Sequence, residues 1–213
     1  MKQAERSYLP AAGHDWLLPF YDPIQKLLGG DSARKKLIEQ ASLAAGQRVL
    51  EIGCGTGVLL LMIKRIYLDI HVVGLDPDPK ALARAMKKNL KEALSIQLDQ
   101  GFSDQLPYPD ASFDRVFSSF MFHHLQGDVK KNTLKEARRV LKPGGSLHLL
   151  DFAGPDLQKH GLFSRWLQKR HRIQDNTEQN FLSLMAQAGF VKAAKVSEGS
   201  SHFFQTAYYQ ALA

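Results

Sequence analysis

The chain has 213 residues, a formal net charge of +7 and one cysteine, and 44% of its residues are hydrophobic. This length suits one globular domain with a full-sized core, and no apolar run approaches the roughly 18–20 residues that span a bilayer. One cysteine excludes an internal disulfide, and no apolar leader follows Met1, so we predict a cytoplasmic protein.

Hydrophobic patterning predicts helices and strands that alternate through most of the chain. A helical region at residues 14–45 comes first. The predicted strands are 48–53, 71–76, 95–100, 113–119 and 145–152, and the predicted helices between them are 57–67, 79–92 and 128–141. Alternation of this kind forms βαβ units, so we predict an α/β fold with a parallel sheet that is covered by helices on both faces.

The last part of the chain has a different pattern. Residues 156–188 are predicted to be helical. Two strands follow, Val191 to Val196 and His202 to Tyr209, and residues 198–201 are predicted to form the turn between them.

A glycine-rich motif at the end of the first predicted strand carries the strongest chemical signal. It has the form E-x-G-x-G-x-G over residues 51–57. Because glycine has no Cβ, the backbone can approach a bound ligand closely, and the following helix N-terminus suits an anionic group. Asp76 ends the next strand, where an acid can accept hydrogen bonds from ribose hydroxyls. The pair predicts a cofactor that contains adenosine.

Together with two later motifs, this region resembles the class I S-adenosylmethionine-dependent methyltransferases. Residues 51–57 resemble the first motif of that family. Residues 106–125, which contain L-P-Y-P-D-A-S-F-D-R-V and a later His-His pair, resemble its fourth-strand region, and residues 138–145 (R-R-V-L-K-P-G-G) resemble the turn before its fifth strand. The most similar branch contains the quinone-biosynthesis C-methyltransferases and other small-molecule methyltransferases.

The resemblance implies a Rossmann-like, doubly wound, seven-stranded and mostly parallel sheet of order 3-2-1-4-5-7-6, closed by a C-terminal antiparallel hairpin. It also implies a single methyltransferase domain over residues 1–213, with a helical N-terminal cap at 1–45 and a variable, lid-like insertion at 153–180. The implied activity is methyl transfer from S-adenosylmethionine to a small-molecule acceptor at carbon, oxygen or nitrogen. Two alternatives stay open, an RNA methyltransferase and a non-catalytic nucleoside-binding protein of the same fold.

The resemblance also assigns cofactor-binding residues. Glu51 is expected to hold the amino-acid end of the cofactor, or else to cap the following turn; Asp76 is expected to bind the ribose, or else to cap the next helix. Ser118 is expected to offer its backbone carbonyl to the methionine ammonium. The full predicted set is Tyr21, Glu51, Gly53, Cys54, Gly55, Gly57, Asp76, Pro77, Phe102, Ser103 and Ser118.

The third strand departs from the family pattern. Relatives often have G-D-A after it, and the aspartate contacts the adenine amino group, whereas this chain has Gly101-Phe102-Ser103. Adenine must therefore be met by backbone groups, by Ser103 or by stacking. Asp99 and Asp104 are the alternative acceptors.

His123 and His124 are the candidate catalytic residues, because they follow the fourth strand at the expected cleft and a base is needed if the acceptor loses a proton. A purely local structural role is the alternative. No metal site is predicted, since adjacent histidines rarely bind one ion. Four aromatic residues are predicted to line the substrate pocket, with ordinary packing as the alternative: Trp16, Phe20, Phe122 and Trp166.

Basic residues concentrate in one segment, residues 159–172. Its interleaved apolar side chains fit a lid over an anionic or lipid-like substrate, a helix in peripheral contact with a membrane surface, or an ordinary amphipathic cover helix with a solvated basic face. The other lysines and arginines favour solvated helix faces over a nucleic-acid surface. The sequence leaves the oligomeric state unknown.

Overall fold

The computed structural model describes residues 18–153, 177–200 and 205–213. The strands are β1 (Arg48–Ile52), β2 (His71–Asp76), β3 (Ile96–Gln100), β4 (Phe113–Ser119), β5 (Leu141–Phe152), β6 (Val191–Ser200) and β7 (Gln205–Leu212). The helices are α1 (Leu18–Leu27), α2 (Gly30–Gln40), α3 (Val58–Ile66), α4 (Pro79–Lys91), α5 (Gly127–Val140) and α6 (Glu178–Gln187).

All seven strands belong to one sheet of order β3-β2-β1-β4-β5-β7-β6, which confirms the predicted fold class. The pairs from β3 to β5 are parallel. The last two pairs, β5 with β7 and β7 with β6, are antiparallel. The sheet order reverses direction between β1 and β4, and ligands of open α/β sheets bind beyond the carboxyl ends of the strands at such a point.

Alternating strand residues supply two cores, one on each face of the sheet. On one face Leu50 and Ile52 of β1 pack in a cluster with residues of α5 and α6. On the other face Val49 packs in a cluster with residues of α2 and α3. Because both faces are covered, the central strands are apolar almost throughout, as parallel sheets require.

The C-terminal hairpin differs from the prediction at its strand ends, since β6 extends to Ser200 and β7 to Leu212. Residues 198–200, predicted as turn, belong to β6, where Gly199 pairs with Thr206 of β7. A Cβ on Gly199 would lie 2.7 Å from Thr206 Oγ1, so this glycine permits a close cross-strand approach and does not mark the turn. The predicted strand 145–152 begins earlier, at Leu141, because Pro143 excludes helix and favours an extended residue before it.

The N-terminal helical region is two helices, α1 and α2. Gly29, at a φ of 88°, separates them, and the chain from residue 41 to 47 is not helical. Among residues 18–153, 177–200 and 205–213, no helix combines the length and the apolar character that crossing a membrane requires.

Candidate active site

The glycine-rich loop lies between β1 and α3 and is held against the end of β2. The backbone N–H groups of Gly53 and Cys54 donate to the Leu75 carbonyl over 2.8 and 3.0 Å. Gly55 N–H donates to Asp76 Oδ2 over 2.7 Å, and Asp78 N–H donates to Asp76 Oδ1 over 2.9 Å. Asp76 therefore joins the two loops that follow β1 and β2.

Asp76 is almost fully buried, and burial raises its pKa to about 6, although the N–H groups of Asp78 and Gly55 favour the ionised form. It does not cap α4. That role belongs to Asp78, whose Oδ1 accepts from Lys80 N–H over 2.8 Å. Each Asp76 oxygen accepts one backbone bond, and a carboxylate oxygen can accept a second. Asp76 therefore keeps acceptor capacity for a hydroxyl.

Two glycines of the loop have different neighbours. A Cβ on Gly53 would lie 2.2 Å from Cγ of Met121, so the residue after Phe120 packs directly on the loop backbone. A Cβ on Gly55, which has a φ of +52°, would meet no described atom within 4 Å. Open space next to the Gly55 backbone is what close approach of a ligand needs.

Glu51 lies on β1, one residue before the strand ends, and is 1% exposed. Ser119 of β4 donates its hydroxyl to Glu51 Oε1 over 2.7 Å. Oε2 has no hydrogen-bond partner among the described residues. Burial raises the Glu51 pKa to about 8, against the smaller opposing effects of the Ser119 hydrogen bond and the Arg34 charge.

The end of β4 turns sharply beside Glu51. Phe120 has a φ of +54°, an uncommon conformation for an aromatic residue, and its N–H donates to the Leu150 carbonyl over 2.9 Å. The turn places Met121 against Gly53. Ser118, just before it, is buried, and its hydroxyl has no hydrogen-bond partner among the described residues.

His123 follows in a 3-10 turn and is paired with a buried acid. Its N–H donates to Asp151 Oδ2 over 2.8 Å, and its Nδ1 lies 2.7 Å from Asp151 Oδ1. Asp151, on β5, has no exposed surface. The rings of His123 and His124 lie 4.0 Å apart. Sequence analysis did not predict Asp151 as a site residue. The signal that could have identified it is its position as an acid near the end of the predicted strand 145–152, next to β4 in the sheet.

Asp22 of α1 also reaches the glycine-rich loop. Thr56 donates its hydroxyl to Asp22 Oδ1 over 2.5 Å, and Lys88 of α4 donates to Asp22 Oδ2 over 2.6 Å. Asp22 was within the motif that predicted a role for Tyr21, yet it was not predicted as a site residue. Tyr21 and Phe20 lie on α1, but their side chains are not among those described.

Several predicted residues have other partners. Ser103 Oγ lies 2.8 Å from Thr133 Oγ1 on α5. Phe122 is buried in the core, with its ring centroid 5.3 Å from that of Phe181. Asp99 Oδ2, an alternative adenine acceptor, accepts from the Tyr108 hydroxyl over 2.9 Å.

Two other predicted residues, Pro77 and Phe102, lie just beyond the ends of β2 and β3. The Pro77 carbonyl accepts from Gln100 Nε2 over 3.2 Å, beside the end of β2. Phe102 is half-buried and lies two residues after the end of β3. Trp16, Trp166 and the basic segment 159–172 lie outside the described residues.

The arrangement fits a nucleoside that carries an amino-acid tail. No described atom fills the space beside Gly55, Asp76 retains acceptor capacity for ribose, and Glu51 holds a buried oxygen with no described partner. Within the part of the chain that the structure describes, no three potential metal ligands come together.

Comparisons with known proteins agree with this geometry. Residues 49–145 match a family model described as a methyltransferase domain. The chain is 36% identical over 152 residues to the demethylmenaquinone methyltransferase of Thermus thermophilus, an alignment that covers 70% of this chain and 68% of the relative. It is 37% identical over 142 residues to the Deinococcus radiodurans protein of that name, covering 65% of this chain and 58% of the relative.

A solved structure confirms the fold. The crystal structure of a SAM-dependent methyltransferase from Aquifex aeolicus superposes with a TM-score of 0.69 at 20% identity, and the match covers 90% of this chain and 97% of that one.

Proposed function

The chain belongs to the S-adenosylmethionine-dependent methyltransferases, and from this premise we propose that it transfers a methyl group from S-adenosylmethionine to a small-molecule acceptor. The observation that carries the proposal is Glu51: a buried carboxylic acid beside the glycine-rich loop, with Oε2 unpartnered among the described residues.

When bound, S-adenosylmethionine supplies an electrophilic methyl group on a sulfonium centre. The residues of this chain then act chiefly by alignment, because in-line displacement depends on holding donor and acceptor at near-attack distance. Gly55 leaves room for the ligand against the backbone, Gly53 lets Met121 pack on the loop, Asp76 accepts from the ribose hydroxyls, and the Ser118 carbonyl accepts from the ammonium. These roles stay predictions that the geometry supports.

We further propose that His123 accepts a proton from the acceptor. A carboxylate at 2.7 Å from Nδ1 favours the tautomer that has its proton on that nitrogen, which makes Nε2 the basic nitrogen of the ring. With S-adenosylmethionine and the acceptor bound, Nε2 would take up the proton that the acceptor loses on methylation.

The relatives named above suggest the class of acceptor. Both are called demethylmenaquinone methyltransferases. We propose a hydroxylated aromatic small molecule, a quinol or phenol, as the first class to test. Such an acceptor has an acidic O–H for His123 to deprotonate.

A lone, buried cysteine is consistent with a cytoplasmic protein.

The proposal is tested by calorimetric titration with S-adenosylhomocysteine and by transfer of a labelled methyl group to quinols, phenols, amines and RNA. We expect tight nucleoside binding and labelling of a hydroxylated aromatic acceptor. Folded protein that binds no adenosyl ligand would overturn the proposal. His123→Asn should lower turnover and leave nucleoside affinity unchanged, and His71→Asn, an exposed residue at the start of β2, is the matched control.

A further inference from the structure

Helix α4 carries a row of apolar residues on its solvent-exposed surface. Met86 is 40% exposed and Leu90 is 72% exposed. Pro79 and Ala83 are also exposed and precede them on the same helix. The four residues follow one another at intervals of four, three and four positions, which places them along one line of an α-helix. Single exposed apolar residues are ordinary, but a row of them indicates a contact surface.

A row of basic residues runs beside the apolar row. Each of the four apolar residues is followed directly by a lysine or an arginine, and the four are Lys80, Arg84, Lys87 and Lys91. The three lysines are exposed and Arg84 is half-buried. Residues 79–91 contain no aspartate or glutamate. The outer surface of α4 is therefore basic along one line and apolar along the next.

The inner face of α4 is distinct from both rows. Ala81, Ala85 and Asn89 are buried, and Leu82 packs against the core cluster that contains residues of α2 and α3. With 3.6 residues per turn, the direction opposite the buried residues passes between the apolar row and the basic row. A flat surface laid on α4 would therefore touch both rows together.

The acids that flank α4 contribute little negative charge to this surface. Asp78, which caps the helix, is 1% exposed. Glu92, the residue after the helix, is bonded to Arg65 of α3 over 2.5 Å. Asp22 of α1 is bonded to Lys88 over 2.6 Å. The last two acids are thus paired with cations that lie outside the basic row.

More apolar surface lies at the end of α3. Ile66 is 55% exposed and Leu68 is 68% exposed. The two bonds from Arg65 to Glu92 hold this end of α3 beside the end of α4. Exposed apolar side chains of both helices therefore lie near the C-terminal end of α4.

One kind of partner uses both rows of α4. An anionic lipid surface attracts lysine and arginine, and it accepts apolar side chains at the boundary between headgroups and acyl chains. An RNA strand would use the cations but not Met86 and Leu90, and α4 has no aromatic residue on which a base could stack. A second copy of the same surface would bring like charges together.

We propose that α4 is a membrane-docking surface, with its basic row on anionic headgroups and with Met86 and Leu90 inserted beneath them. The inference goes beyond the proposed function and does not rest on it, because docking needs neither cofactor nor turnover. Since α4 begins three residues after Asp76, docking would hold the candidate active site close to the lipid surface.

The test is co-sedimentation of the full chain with lipid vesicles. One set of vesicles is phosphatidylcholine alone, and the other contains an equal amount of phosphatidylglycerol. We expect the unaltered protein to bind the anionic vesicles at least about tenfold more tightly than the neutral ones. The difference should diminish as salt is added, because exposed charges are screened.

Two variants of α4 test the two rows separately. Lys87→Gln combined with Lys91→Gln should weaken binding to anionic vesicles on the order of 10- to 30-fold, because each cation near such a surface contributes about fivefold. Leu90→Ser should weaken it by about tenfold through lost apolar burial. The matched control is Lys131→Gln combined with Lys135→Gln on α5, which covers the opposite face of the sheet, and it should leave binding unchanged.

Three results would overturn the inference. They are equal binding of the unaltered protein to both kinds of vesicle, binding that the α4 variants leave unchanged, and an equal loss in the α5 control. The first result needs no variant. Binding of a uridine oligonucleotide without binding of vesicles would assign the basic row to RNA instead. Failure of the proposed function looks different, because the protein would then bind vesicles but no adenosyl ligand.

Discussion

Acidic side chains at the two ends of the same parallel strands have opposite surroundings: Asp114 is half-buried and paired, and Glu51 is buried and only partly bonded. At the amino end, Asp114 of β4 accepts from Arg48 N–H over 2.8 Å, and both of its oxygens lie 2.9 Å from Lys142 Nζ. At the carboxyl end, Glu51 has one oxygen bonded to Ser119 and one with no described partner.

The pKa values of these two acids are shifted in opposite directions, as their surroundings predict. Burial opposes ionisation of Asp114, but the hydrogen bonds from Arg48 and Lys142 outweigh it and lower the pKa. Burial dominates at Glu51 and raises the pKa to about 8. Charges at the amino end thus stabilise the fold, whereas those at the carboxyl end cost stability and keep their bonding capacity for a ligand.

Replacing Glu51 should give the largest effect, with opposite signs for binding and folding. We expect Glu51→Gln to weaken S-adenosylhomocysteine binding by about 10- to 100-fold, because the ammonium loses its counter-charge. The free protein should become more stable at pH 8 by roughly 2–4 kcal/mol, as measured by urea unfolding.

The sign follows from linkage. Burial raises the folded-state pKa of Glu51 from its ordinary value of 4.5 to about 8, so stability declines as pH rises through this interval. Gln cannot ionise, so the advantage of the variant should vanish near pH 4.5. If Glu51→Gln is less stable than the unaltered protein at pH 8, the claim that the Glu51 charge at the carboxyl end costs stability is wrong.

Binding of S-adenosylhomocysteine should strengthen with pH. Between pH 6.5 and 7.5 the free protein holds Glu51 mainly protonated, and the ammonium needs its carboxylate, so binding releases a proton. Affinity should rise by up to about tenfold per pH unit and level off above pH 8. Asp76, with a pKa of about 6, is mostly ionised in this window.

The proton release is measured by calorimetry in two buffers of different ionisation enthalpy. Glu51→Gln is the control, and its affinity should be independent of pH in this range. Equal proton release by both proteins would assign the linkage to another group.

At the amino end, Asp114→Asn should act only on the fold. We expect a loss of about 1–2 kcal/mol in the free energy of unfolding at pH 7, because the Asp114 pKa is lowered in the folded state and charge-assisted bonds to Lys142 are lost. The loss should diminish as pH falls below the ordinary Asp pKa. Weaker nucleoside binding in this variant would contradict the separation of roles.

The smallest effect is expected at Asp22, which connects α1 to the loop. Asp22→Asn should raise the S-adenosylhomocysteine dissociation rate about threefold, since a half-exposed pair with Lys88 and one hydroxyl bond from Thr56 contribute little. Stopped-flow displacement measures the rate, and Lys35→Met, which removes an exposed pair with Glu39, is the control. An unchanged rate would limit Asp22 to packing.

The sequence determined the local features of the molecule. Strand and helix periodicity placed β1 to β5 and α3 to α5 within a few residues, because buried strands and amphipathic helices have characteristic spacing. The residue pattern itself directed attention to Asp76, and resemblance added the sheet order and the role of Glu51, at the end of the neighbouring strand.

Only the tertiary structure decided which side chains meet. Arg34 is on α2 and Asp151 on β5, and no spacing in the sequence connects them with Glu51 or His123. Gly199 is a further example. The residues around it predicted a turn, but in the structure it belongs to β6 and pairs with Thr206. Periodicity records which face of an element is buried, whereas long-range packing determines the neighbours of each buried group. Glu51 Oε2, which that packing leaves without a hydrogen-bond partner among the described residues, marks the site.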